Sequence, residues 1–327
     1  MTLHHNTSLS DKSFLVTGGA GFIGSHIVQY LMENGAKKVR VLDDLSTGFK
    51  KNIEPWLSHS NFEFLQGDIR NFDTCREACQ DTDYVSHQAA LGSVPRSVKD
   101  PITTNSVNID GFVNMLTAAK EAKVKTFVYA SSSSVYGDEP NLPKEESRVG
   151  NPLSPYAVTK KTNELYAQVF AKLYGMQIIG FRYFNVFGPR QDPDGPYAAV
   201  IPLFVKAILQ KSEAFINGDG EQTRDFTFVY NAVQANVKAM LSENQAAFDQ
   251  VYNIAVGERF TVNYMYNAIR ELLNSEHQPT HRDPRAGDIR DSLANIDLAQ
   301  KFLGYHPTHQ FKDGLIETVD YFKKLYS

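Results

Sequence analysis

Apolar runs of about five residues recur along the first part of this 327-residue chain, at 13–17, 39–43, 62–66, 84–87, 126–131 and 177–182. Segments with helical spacing of apolar positions separate them. This alternation predicts β-α-β units, and hence a Rossmann-type, doubly wound α/β fold: a parallel sheet covered by helices on both faces. In such a sheet ligands bind outside the carboxyl ends of the strands, so the loops that follow those runs are where chemistry is expected.

After Arg190 the texture changes. Pro189, Pro193, Gly195, Pro196 and Pro202 crowd together, Gly218, Asp219 and Gly220 follow, and Pro279, Pro284 and Gly287 come later, so turn chemistry dominates. One more apolar run, 251–255, can rejoin the sheet. The expected division is a dinucleotide-binding unit over 11–190, partly rejoined by 226–260, and a smaller, discontinuous α/β unit from 191–225 and 261–327.

Composition narrows the function classes. The chain is slightly acidic, with a formal net charge of −4 from 33 basic and 37 acidic residues, and no basic run tracks a nucleic-acid backbone. The first ten residues lack the apolar centre of a secretion signal, and no apolar stretch is long enough to cross a bilayer, so a soluble, cytoplasmic protein is expected. Cys75 and Cys79 stand at helical i,i+4 spacing. Two helix-lining thiols are favoured over a redox or metal pair. The nine histidines form no recognisable ligand spacing, and no metal is expected.

The first apolar run leads directly into Gly18-Gly19-Ala20-Gly21-Phe22-Ile23-Gly24. A spaced-glycine loop is a weak signal alone, but here it follows a strand and opens a helix. Gly18 permits the tight turn, Gly21 lets backbone approach a pyrophosphate, and Gly24 lets helix and strand pack closely. The helix's amide end then faces the anion. Asp43, closing the second run, can accept both hydroxyls of an adenosine ribose, with Asp44 as its competitor. A carboxylate there repels a 2′-phosphate and no arginine immediately follows, which favours NAD over NADP. Asp68 and Ile69, after the third run, either contact adenine or belong to a helix cap on 71–80.

Tyr156 and Lys160 lie one helical turn apart, behind a cap at Ser154 and a first-turn Pro155. An isolated phenol ionises near pH 10, and a nearby ammonium favours its anion, so Tyr156 can act as a base on a substrate hydroxyl. The plainer alternative is a ring packed beside a solvated amine; the glycine loop upstream tips the balance. The run Ser131–Ser134 ends a strand where a substrate would sit, and one hydroxyl can bond the reacting oxygen and share its proton with Tyr156. Asn185, Arg224 and Arg285 lie in later loops; guanidinium groups suit a diphosphate, although lone arginines are commonly surface charges.

Across nearly its whole length the chain resembles the extended short-chain dehydrogenases/reductases, and within them the UDP-hexose 4-epimerases. The matching stretches are 17–24, 43–48, 67–70, 87–90, 130–137, 154–160, 182–188, 218–225 and 285–288. The likeness is greatest to bacterial epimerases of UDP-N-acetylglucosamine, through residues 90–97 and 151–156. The resemblance implies Tyr156 as base, Lys160 on the nicotinamide ribose, and Ser132 on the sugar 4-hydroxyl, with Ser133 and Ser134 as rivals. It implies cofactor contacts from Gly18, Gly21, Phe22, Ile23, Gly24, Asp43, Asp44, Ser46, Thr47, Gly48, Asp68, Ile69, Gln88, Ala89, Ala90, Asn108 and Tyr183. It implies substrate contacts from Gly92, Ser93, Ser132, Ser133, Asn185, Val200, Asn217, Arg224, Arg285, Asp288 and Ser292.

The implied reaction takes hydride from C4 of the sugar to tightly held NAD, lets the 4-ketose turn on its UDP tether, and returns hydride to the other face. Glucose/galactose-only members carry a bulky tyrosine where this chain has Ser292, and serine leaves room for an acetamido group, so UDP-N-acetylhexosamines or their uronic acids are the expected substrates. Two alternatives stand beside this. A sugar-nucleotide decarboxylase or dehydratase would place acidic residues where 131–134 are serines. A silent NAD-sensing protein on the same fold is argued against by the intact Tyr156 and Lys160. The resemblance also implies a homodimer through helices near 105–122 and 154–173.

Overall fold

The computed structural model describes residues 3–195, 198–283 and 290–326. Seven strands form one sheet: β1 (Ser13–Thr17), β2 (Lys38–Asp43), β3 (Phe62–Gln66), β4 (Tyr84–His87), β5 (Thr126–Ser132), β6 (Ile178–Tyr183) and β7 (Gln250–Ile254). Their order across the sheet is β7-β6-β5-β4-β1-β2-β3, and every pair is parallel. Each expected strand is present, with ends shifted by a residue at most. The doubly wound α/β architecture read from the sequence is the one the chain adopts.

Alternation along the strands supplies two cores. Phe14 and Val16 of β1 enter an apolar cluster with Ile27 and Val28 of α1 (Phe22–Glu33), whereas Leu15 between them enters the opposite one, with Cys75 of α2 (Phe72–Cys79) and Met115 of α3 (Gly111–Glu121). Both faces are therefore dry, which is why the strands are apolar throughout. Helix α4 (Pro155–Tyr174) packs against α3, and α5 (Val229–Met240) against α1 on the other face. The expected cap is present, since Ser154 Oγ accepts the Ala157 amide at 3.1 Å, Pro155 opens α4, and Gly175 closes it in the left-handed conformation.

A third cluster lies beyond the sheet. Ile201, Phe204 and Ile208 of the helix Val200–Gln210 pack with Met265 and Ile269 of Val262–Leu272 and with Phe311 and Leu315 of Phe311–Tyr326. From the segment 261–327, Ala294, Ile296, Ala299, Leu303 and Tyr305 pack instead into the sheet's own core. The polypeptide thus passes repeatedly between the sheet core and the outer cluster. The strand order reverses direction between β1 and β4, which opens a crevice at the carboxyl ends of those two strands.

Candidate active site

The turn after β1 is built by its glycines. Gly18 has φ +67°, and a Cβ on it would lie 2.7 Å from the Ala89 amide nitrogen. A Cβ on Gly24 would run into the Gly18 carbonyl oxygen. Gly21 caps α1 without any side-chain acceptor, and the first turn carries no acidic residue, so the helix presents uncompensated positive dipole to the cavity beside it. Asp43, at the end of β2, braces the turn: its carboxylate accepts the Ala20 amide at 2.9 Å and the Leu45 amide at 2.8 Å. Burial pushes the Asp43 carboxyl up, and these two amides oppose it.

That cavity measures about 410 Å³. Gly18, Gly21, Phe22, Ile23 and Gly24 form one end, and Asp43, Asp44, Ser46, Thr47 and Gly48 lie beside them. Asp68, Ile69, Gln88, Ala89, Ala90 and Gly92 continue the wall, and Ser132, Tyr156, Lys160, Tyr183 and Asn185 form the far end. The structure therefore brings together most of the residues singled out in the sequence. Leu91, Val107, Ala130 and Val186 line it as well. Being small or apolar, they carried no chemical signal of their own.

At the far end Ser132 is distinguished from its neighbours. It lines the cavity with Tyr156, whose anion its hydroxyl favours, and it accepts the Ser134 amide at 3.1 Å, whereas Ser133 and Ser134 do not line the cavity. Lys160 is buried and donates to the Ala130 carbonyl at 2.6 Å, with its nitrogen 6.0 Å from the centre of the Tyr156 ring. The electrostatics correct one expectation. Burial raises the Tyr156 phenol above its ordinary range, the Ser132 hydroxyl alone opposes this, and the lysine does not offset it. Lys160 is itself brought down to about 8, by desolvation first, against the attraction of Glu164.

Several expected contacts have other partners. Asn108 does not line the cavity: its Oδ1 accepts the Leu91 amide at 2.8 Å, and its Nδ2 donates to the Leu91 carbonyl and to Thr159 on α4. It sits in a π-helical turn, Ser106–Asp110, whose extra residue turns that side chain inward. Asp68 lines the wall but is paired with Arg70 at 2.5 Å, and the α2 cap is Asn71, which accepts the Thr74 amide. Ser93 lies outside the cavity lining, at φ 138°, and caps the short helix that follows it.

The remaining substrate candidates gather on the outer unit. Val200 and Asn217 line a second cavity of about 410 Å³ with Phe215 and Arg282. Ser292 donates its amide to the Thr223 carbonyl, so it stands in a ladder with Arg224, whose guanidinium reaches the Thr223 and Arg290 carbonyls. Arg285 and Asp288 lie outside the described residues. Asp225 knots the two units together: its buried carboxylate accepts the amides of Val256, Gly257 and Ala294, while its carbonyl accepts Asn185 Nδ2. Burial pushes this carboxyl up to about 7, against the three amides.

A doubly wound sheet with a glycine turn under a carboxylate, and serine, tyrosine and lysine converging at its strand ends, defines a short-chain dehydrogenase/reductase fold. Residues 14–255 match the family model described as NAD dependent epimerase/dehydratase family, and the chain belongs to that family. It is 37% identical over 311 residues to a putative UDP-glucose 4-epimerase of Methanocaldococcus jannaschii, covering 94% of this chain and 98% of that one. Among solved structures it is similar to the UDP-N-acetylglucosamine 4-epimerase of Methanobrevibacter ruminantium M1 in complex with UDP-N-acetylmuramic acid, with 41% identity, TM-score 0.90, and coverage of 96% and 99%. It is also similar to the UDP-glucose 4-epimerase of Thermotoga maritima with UDP-glucose, with 36% identity, TM-score 0.90, and coverage of 96% and 100%.

NAD is the cofactor of this family, and the cradle fits it. The side-chain-free approach at Gly18 to Gly24, the uncapped helix start and the carboxylate of Asp43 are matched to a pyrophosphate and a ribose diol.

Proposed function

We propose that this protein inverts C4 of a UDP-N-acetylhexosamine, UDP-GlcNAc and UDP-GalNAc or their uronic acids, using bound NAD. The observation that carries the reading is that Ser132, Tyr156 and Lys160 line the same cavity as the glycine turn, with Lys160 fixed on the Ala130 carbonyl. When bound, NAD supplies the hydride acceptor and donor. Tyr156 takes the proton of the sugar 4-hydroxyl and later returns it; Ser132 orients that oxygen and shares the proton. Lys160, fixed by the Ala130 carbonyl, would hold the nicotinamide ribose. Gly18, Gly21 and Gly24 hold the pyrophosphate, and Asp43 the adenosine ribose. Arg224 and Arg285 hold the substrate diphosphate, with Asn185 on the sugar side and Asp288 on the uridine ribose.

Preference for an N-acetyl group rests on Ser292, a small residue in the ladder with Arg224. The test is a panel of UDP-GlcNAc, UDP-GlcNAcA and UDP-Glc at equal concentration. C4 inversion of the N-acetylated sugars supports the reading. A strong preference for UDP-Glc rejects the argument from Ser292, and release of carbon dioxide or a 4-keto-6-deoxy product rejects epimerisation.

The protein is further proposed to act as a homodimer. Leu165, Val169 and Leu173 form an exposed apolar stripe on α4, and Ile102 is 82% exposed on the neighbouring helix Pro101–Asn105. A stripe of this kind suits a second copy of the same face.

A further inference from the structure

Four residues past Lys160 on the same face of α4 stands Glu164, which is only 7% exposed. Its Oε1 accepts the Ser131 hydroxyl at 2.7 Å, and Arg182 approaches both carboxylate oxygens at 2.9 Å each. Arg182 lies directly across from Ser131 in the β5–β6 register, 3% exposed, its guanidinium 4.9 Å from the Tyr136 ring centre and bonded to the Glu146 carbonyl. Lys160 and Glu164 thus grip consecutive residues of β5, the Ala130 carbonyl and the Ser131 hydroxyl, immediately before Ser132.

We propose that Glu164 is a positioning residue of the active site: with Lys160 it staples α4 to the end of β5, setting Tyr156 against Ser132, and it provides the buried negative charge facing the lysine. Stability alone explains the arrangement poorly. A buried ion pair gives up hydration that its mutual attraction barely restores, and an apolar pair of equal volume commonly does as well or better. What an apolar pair cannot supply is a carboxylate one turn from Lys160.

The other groups around the lysine do not replace that charge. On β4, His87 is held neutral, brought down to about 3 by burial and by the lysine's own charge. Tyr129 on β5 and Tyr183 on β6 are pushed up by burial, and Arg182 on β6 is a cation behind the carboxylate. Glu164 raises the proton affinity of Lys160 and burial lowers it. Taking the charge away makes the lysine lose its proton at lower pH.

The inference rests on the epimerase reading and is tested on the full-length enzyme with its NAD. In Glu164→Gln, NAD content and KM are expected to stay within about twofold of the wild type, while kcat falls and its alkaline limb moves down by about one pH unit. Glu164→Asp, which keeps the charge, returns the limb toward its original place. An unmoved limb in a folded, NAD-bearing Glu164→Gln overturns the proposal, as does a Glu164→Asp profile identical to that of Glu164→Gln. Where the single variant does not fold because Arg182 is left unpaired, the double variant E164Q/R182M takes its place. A downward shift of its limb supports the proposal, and a wild-type limb overturns it. Wild-type turnover reads the two claims apart: no C4 inversion of any UDP-sugar removes both, whereas normal inversion with an unmoved limb removes only this one.

Discussion

Tyr156 occupies a position where ionisation is costly, because burial outweighs the nearby Ser132 hydroxyl that favours its anion. Its proposed work as a base requires the phenolate, and Ser132 is the neighbour that favours that anion. Tyr156→Phe is expected to lower kcat by about 10²- to 10⁴-fold, the range for a removed general base, and to leave NAD bound. Assay of C4 inversion beside the absorbance of released dinucleotide checks both parts; undiminished turnover rejects Tyr156 as the base. Ser132→Ala removes the partner and is expected to cost about 10²-fold in kcat, with the same change at Ser133 costing far less. Equal losses at the two serines, read from the same assay, would return Ser133 to contention.

Helix α1 carries two features whose effects are separable. A Cβ on Gly24 meets the Gly18 carbonyl, so Gly24→Ala forces the turn away from its place, with an expected cost of about 1–3 kcal/mol and loss of copurifying NAD. Thermal melts and the dinucleotide content of the purified variant check this. His26 is buried against Phe22 and Tyr230, with its ring nitrogen on the Phe22 carbonyl, and burial lowers it to about 3. The native state keeps this ring neutral while the unfolded chain protonates it near pH 6.5, so its contribution is present above pH 6.5 and is lost as pH falls toward 3. Between pH 6.5 and 5 the loss is about 2 kcal/mol. Urea midpoints at pH 7.5 and 5 are therefore expected to fall less in His26→Phe than in the wild type. What could be read in the sequence at this scale was local: the glycine turn, the α4 cap and the Tyr156–Lys160 spacing each lie within a few residues. Asn108 on Leu91, Glu164 on Ser131 and Asp225 on Ala294 join positions 17 to 69 residues apart, and only the folded chain brings them into contact. Likewise the choice of Ser132 over its neighbours depended on which hydroxyl the strand end aims at Tyr156.

For the molecule as a whole, the proposed dimer makes a direct prediction. Placing charges in the exposed stripe of α4, as in L165E/V169E, is expected to give a sedimentation mass of one chain at micromolar concentration, where the wild type gives two. A wild-type mass of one chain rejects the pairing. The Asp225 knot bears on how the proposed reaction must run. Three amides from three different backbone positions converge on one sequestered carboxylate, and Asn185 is tied to the same residue from the cavity side. A junction fastened in this way is a weld between the sheet and the outer unit. For the proposed reaction this means that a ketose can present its second face by torsion about its own diphosphate link while the segments pinned at Asp225 stay joined.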